Sequence, residues 1–117
     1  MRVLLLPLLL LLSGQVMAEA CVVRSQAERL DVKVCQQNRS IPPNLFRSGF
    51  CQPTLKGQQV TVEFVEQCPQ DSFGVCRSAK VPGTPYQQDI HYYGVASDAT
   101  YLKPACEKQN RGVWMNR

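Results

Sequence analysis

Leucine is scarce in this chain beyond its first twelve residues, where only Leu30, Leu45, Leu55 and Leu102 follow. A leucine-filled core is therefore excluded, and Val, Phe, Tyr and cystine must supply the packing. After Leu12 no apolar run approaches the roughly 20 residues that a membrane span needs. There is no Gly-x-Gly-x-x-Gly, which excludes the usual dinucleotide cradle, and no Gly-x-Ser-x-Gly nucleophile elbow. Cys-x-x-Cys is missing too, so a thioredoxin-type dithiol and a zinc knuckle are both excluded. A single histidine, His91, leaves any metal set or Ser-His-Asp arrangement dependent on one residue. Basic residues form no run and no stripe interleaved with aromatics, so nucleic-acid binding is not indicated.

What the chain does have is an export signal. Arg2 is a one-charge leader, Val3 to Leu12 is a short apolar stretch, and Val16-Met17-Ala18 suits cleavage before Glu19. A cut before Cys21 would suit a lipid anchor on that cysteine, but Glu19 and the missing leucine fit lipoprotein signals poorly. Residues 1–18 are thus read as a signal peptide and residues 19–117 as a single disulfide-stabilised domain. Without Arg2, twelve basic residues face nine acids, a mature charge of +3.

Six cysteines lie beyond the signal: Cys21, Cys35, Cys51, Cys68, Cys76 and Cys106. An even number in a short exported chain reads as a disulfide framework in an oxidising compartment, periplasmic or extracellular. Six cysteines allow fifteen pairings. Cys68 and Cys76 flank a turn at Pro69-Gln70-Asp71-Ser72 and are placed to bridge across it, which leaves Cys106 to tie the tail to one of the N-terminal three.

Ser25-Gln26-Ala27-Glu28 has the form of a capping box, and Val23, Ala27, Leu30 and Val34 then share a helical face. A helix over 26–36 is the favoured reading. Leu30, Val32 and Val34 also alternate, as in a strand. Residues 58–67 form the clearest strand, with Val60, Val62 and Phe64 on one side. Further strands are expected over 73–81 and 86–96, separated by the turn Pro82-Gly83-Thr84-Pro85. A short helical turn through Leu102 is interrupted by Pro104, and an edge strand closes the chain near Trp114. The fold class expected is α+β: a small disulfide-stapled domain with a three-stranded antiparallel meander and a short N-terminal helix.

The most distinctive segment is Tyr86 to Val95, which holds three of the four tyrosines. Tyr86, Asp89, His91, Tyr92 and Tyr93, with Trp114, form the candidate binding face, because amphipathic rings beside polar groups suit recognition. The competing reading packs the same rings into the leucine-poor core. Asp89 and His91, two apart on a strand, share a face and would suit a carboxylate-oriented base or a weak metal site.

The stretches Glu28 to Asn38, Leu45 to Pro53 and Gln88 to Ala96 resemble a group of short exported cysteine-containing proteins of Gram-negative bacteria. Some members of that group carry an NADH:ubiquinone oxidoreductase label. The resemblance implies a periplasmic location and supplies no site residues. Neither a dinucleotide motif nor a cysteine set for an iron–sulfur cluster accompanies it.

The function expected is that of a non-catalytic binding or accessory protein, periplasmic or secreted. It would recognise another envelope protein and need no cofactor or metal. The alternative is a redox-active envelope protein with a labile disulfide or an association with an NADH:ubiquinone oxidoreductase.

Overall fold

The computed structural model describes residues 19–51 and 57–117. The signal expected over 1–18 lies outside the described residues. The fold is mostly β: one six-stranded antiparallel sheet with two short helices. The strands are β1 (Ala20–Ala27), β2 (Leu30–Asn38), β3 (Gln59–Val65), β4 (Gly74–Lys80), β5 (Gln87–Tyr92) and β6 (Val113–Asn116). Their order across the sheet is β3-β1-β2-β5-β4-β6.

The helix expected over 26–36 does not form. β1 and β2 make a hairpin around Glu28-Arg29, paired from Ala27↔Leu30 to Ala20↔Gln37. Ser25 caps nothing. It lies buried in β1 opposite Val32. Period-2 alternation wins because the segment must serve two faces. Cys21 and Val23 point one way, while Ala20 and Val22, the latter opposite Cys35, point the other.

The meander is also corrected. Its three strands form close to their expected spans, and β4 and β5 do pair, through a register shift between Cys76 and Ala79. β3, however, pairs with β1 at the opposite edge of the sheet. The chain after β3 passes β1, β2 and β5 before reaching β4. The Cys68 N–H donates to Gln37 Oε1 at 3.1 Å, and the Tyr93 hydroxyl donates to the Pro69 carbonyl at 2.7 Å.

Both helices lie on one face of the sheet. α1 (Pro43–Leu45) starts at a proline, where the missing N–H costs nothing, and widens into a further turn over Phe46–Phe50. The Asn38 side chain prepares this entry by bonding both the N–H and the carbonyl of Ile41 at 2.7 Å. Phe46 is fully buried among Cys21, Val23, Ile41 and Cys51, with Val34, Val60 and Val62 around them. α2 (Ala99–Pro104) continues past Pro104 into a wider turn over Ala105–Gln109, so the proline does not end the helical path. It covers the other half of the same face, where Cys76, Ala79, Cys106 and Trp114 are buried with Ile90, Tyr92 and Leu102. Among the described residues no helix is long and apolar enough to cross a membrane.

Three disulfides join Cys21–Cys51, Cys35–Cys68 and Cys76–Cys106, with Cα separations of 6.3, 5.8 and 5.7 Å. The expected Cys68–Cys76 bridge is absent because β3 and β4 are not neighbours. Cys68 closes onto β2, and Cys76 faces α2. Cys106 accordingly ties the tail to β4, not to the N-terminal cysteines. Gly112 makes this last closure possible. A Cβ there would lie 2.6 Å from Cys76 Sγ and 2.8 Å from the Arg77 carbonyl oxygen.

Candidate functional site

The tyrosine-rich stretch lies on β5, a strand bonded on both sides, to β2 and to β4. Its backbone is therefore committed, and only its side chains are available for recognition. These alternate. Gln88, Ile90 and Tyr92 share the helix-covered face with Cys76 and Trp114, while Asp89 and His91 point to the face without helices.

The six candidate residues consequently do not share one surface. Tyr86 stands edge-on to Phe50 at 6.5 Å in the α1 cluster. Tyr92 packs against Trp114, ring centroids 5.7 Å apart, and burial raises its phenol pKa. Trp114 is buried over Gly74, and its indole N–H donates to Asn116 Oδ1 at 2.9 Å. For these three rings the packing role accounts for the aromatic residue type.

Asp89, His91 and Tyr93 remain on the helix-free side. Asp89 is a clamp. Its carboxylate accepts two bonds from Arg39, at 3.1 and 3.0 Å, and the backbone N–H of Ser78 at 2.8 Å. Ser78 has a φ of 56°, at the register shift of β4, so Asp89 supports a backbone conformation that a serine seldom adopts. Tyr93 has the Lys33 ammonium 4.7 Å above its ring centre, a cation–π contact. Burial pushes its phenol up to about 12, helped by Asp71 and partly offset by Arg117.

His91 lies between Cys35 of β2 and Val75 of β4. Burial lowers its pKa, Asp89 opposes that shift and Arg117 adds to it. Its Nδ1 is buried, with no hydrogen-bond partner among the described residues. Both Asp89 oxygens are taken by Arg39 and Ser78, so the carboxylate-oriented base suggested by the spacing is not assembled as a hydrogen-bonded pair. Burial and Arg117 disfavour the charged imidazole, against the pull of Asp89. Among the described residues no group of three or more His, Cys, Asp or Glu is placed to hold a metal ion.

A pH dependence follows. A histidine whose folded pKa lies below 6.5 takes up fewer protons folded than unfolded. Stability is complete above about pH 6.5 and falls as pH drops through that value towards the folded pKa. Because His91 is the only histidine, denaturation at pH 7.5 and pH 5 isolates it. The wild type loses stability between these pH values and His91→Gln does not. Equal losses in the two proteins would contradict the assignment.

Lys33, Arg39 and Arg117 join this site, and sequence reasoning did not single them out. Arg39 and Lys33 come from β2 and its exit, and Arg117 is the C-terminal residue. Only strand register brings them near β5, and no local motif signals that.

No family model, curated protein or solved structure matches this chain. The site is thus read from its own geometry.

Proposed function

We propose that this protein is a rigid, non-catalytic recognition module of an oxidising envelope compartment, periplasmic or secreted, which binds another envelope protein. The burial of all six cysteines supports this reading over the redox alternative. Cys21, Cys35, Cys51 and Cys76 are 0% exposed, Cys106 is 2% and Cys68 is 8%. Thiol–disulfide exchange needs a thiolate to reach a sulfur, and buried, well-packed bridges resist it. Such bridges serve a scaffold.

The helix-free face supports the recognition half of the proposal. It presents Lys33 on β2, His91 on β5 and Tyr93 just after it, with Arg117 near by, and the strands on both sides of β5 are tied by the Cys35–Cys68 and Cys76–Cys106 bridges. Fixed polar and aromatic groups lower the ordering cost of association. Photo-crosslinking from position Lys33 in intact cells tests the reading. It is expected to capture one envelope protein reproducibly, and the same probe at Lys108, on the opposite helical layer, is expected not to. Failure to capture a specific partner from either position, or a reduction potential above about −200 mV for any bridge, would favour the redox alternative instead.

A further inference from the structure

We propose that β3 pairs with β3 of a second copy of this chain, antiparallel and centred on Val62, joining two six-stranded sheets into one. β3 is an edge strand of seven residues, and no described residue bonds to its outer side. An open edge is a template for another strand, and proteins that keep such an edge single blunt it with lysine, proline, a bulge or short length. β3 has no lysine, proline or bulge, and its one charged residue is Glu63. Its register against β1 runs unbroken from Gln59 to Val65, and its sequence is rich in β-branched residues. The other edge is blunted: β6 is four residues long and lies between Arg111 and Arg117.

The sequence of β3 is self-complementary in one register. In an antiparallel pair, opposing residues share a face. A two-fold axis normal to the sheet must therefore pass through a residue and not between two. Centring on Glu63 sets two carboxylates directly opposite, which is unfavourable. Centring on Thr61 runs the pairing into Gly57, whose φ is 73°, outside the strand. Centring on Val62 pairs all of Gln59–Val65. Val60 then opposes Phe64 of the second copy, and Val62 opposes its own equivalent. Phe64 is 42% exposed in the single chain, held by Phe46 on one side and Arg47 above its ring. In the pair it gains an apolar neighbour. On the other face Thr61 opposes Glu63, so a hydroxyl meets a carboxylate and no like charges are directly opposite, the two Glu63 residues being diagonal neighbours.

Sedimentation equilibrium of the oxidised protein tests this, with substitutions that act on the register. Thr61→Glu sets a carboxylate opposite Glu63 twice by symmetry and is expected to weaken the dimer about tenfold. Within the chain, position 61 lies opposite Arg24 of β1, which already pairs with Asp31, so the added carboxylate meets a cation there and not another acid. Thr61→Glu with Glu63→Lys exchanges the repulsion for an attraction and is expected to restore the dimer. A protein that stays monomeric at hundreds of micromolar overturns the proposal, including the case in which β3 takes an extended segment of a different protein. A dimer indifferent to Thr61→Glu, or weakened by it but not restored by the exchange, overturns it equally.

Discussion

Reduction of the three cystines is expected to unfold the protein at room temperature. Each bridge closes a long segment, with sequence separations of 30, 33 and 30 residues. Closing a loop of that length removes unfolded-chain entropy worth about 3–4 kcal/mol. The Cys21–Cys51 and Cys35–Cys68 loops overlap, so their effects are not fully additive. Even so, the combined stabilisation is comparable with the whole stability of a small domain, about 5–15 kcal/mol. There is little else to replace it. Apart from the cysteines, only Ala20, Val23, Ile41, Phe46, Val75, Ala79 and Trp114 are buried apolar residues among those described. Circular dichroism melts with and without reductant, with thiol release verified by alkylation, check this. An unchanged melt after complete reduction would refute the expectation.

Truncating Phe46 to alanine is expected to cost about 3–5 kcal/mol, the range for emptying an aromatic site in a core. Phe46 is the largest fully buried side chain described. It plugs the space between α1 and the sheet beside the Cys21–Cys51 bridge, and the ring of Phe64 meets it edge-on at 6.5 Å. Collapse around the cavity is resisted, because that bridge ties both walls. In a domain of this size the loss lowers Tm by roughly 15–30 °C. Urea denaturation of the oxidised variant measures it directly, and a loss below about 1 kcal/mol would show that Phe46 does not carry the cluster. Phe46→Leu retains most of the buried volume and is expected to recover much of the loss.

Alternation in the sequence located β3, β4 and β5, because half-buried strands show their period in the residues themselves. Pairing was not legible. Nothing in Gln59–Val65 says that its partner is β1, nearly forty residues earlier in the chain, and not the adjacent β4. The hairpin at Glu28-Arg29 was obscured for a local reason. Two-residue hairpins are usually announced by Asn-Gly or Asp-Gly, and this one carries neither. Meanwhile Ser25 and Glu28 imitate a helix cap. Tertiary demand decided between the two patterns: Cys21 and Cys35 must reach partners on opposite faces, and only a strand pair places them so.

The candidate site was legible in composition and not in arrangement. Tyr86 to Tyr93 do concentrate aromatic and titratable groups, but their alternation sends Tyr92 inward to Trp114 and leaves His91 and Asp89 on the other side. The spacing of Asp89 and His91 correctly implied a shared face. It did not show that Arg39, fifty residues away, holds the carboxylate. The disulfide count was right for a framework, while the connectivity depended on strand order and so followed the pairing error.

The most direct test of the account is disulfide mapping, by proteolysis of the oxidised protein without reduction followed by mass spectrometry of the linked peptides. The sheet order requires Cys21–Cys51, Cys35–Cys68 and Cys76–Cys106. A Cys68–Cys76 link would place β3 beside β4 and contradict the fold, and with it the site and the dimer register built upon that fold.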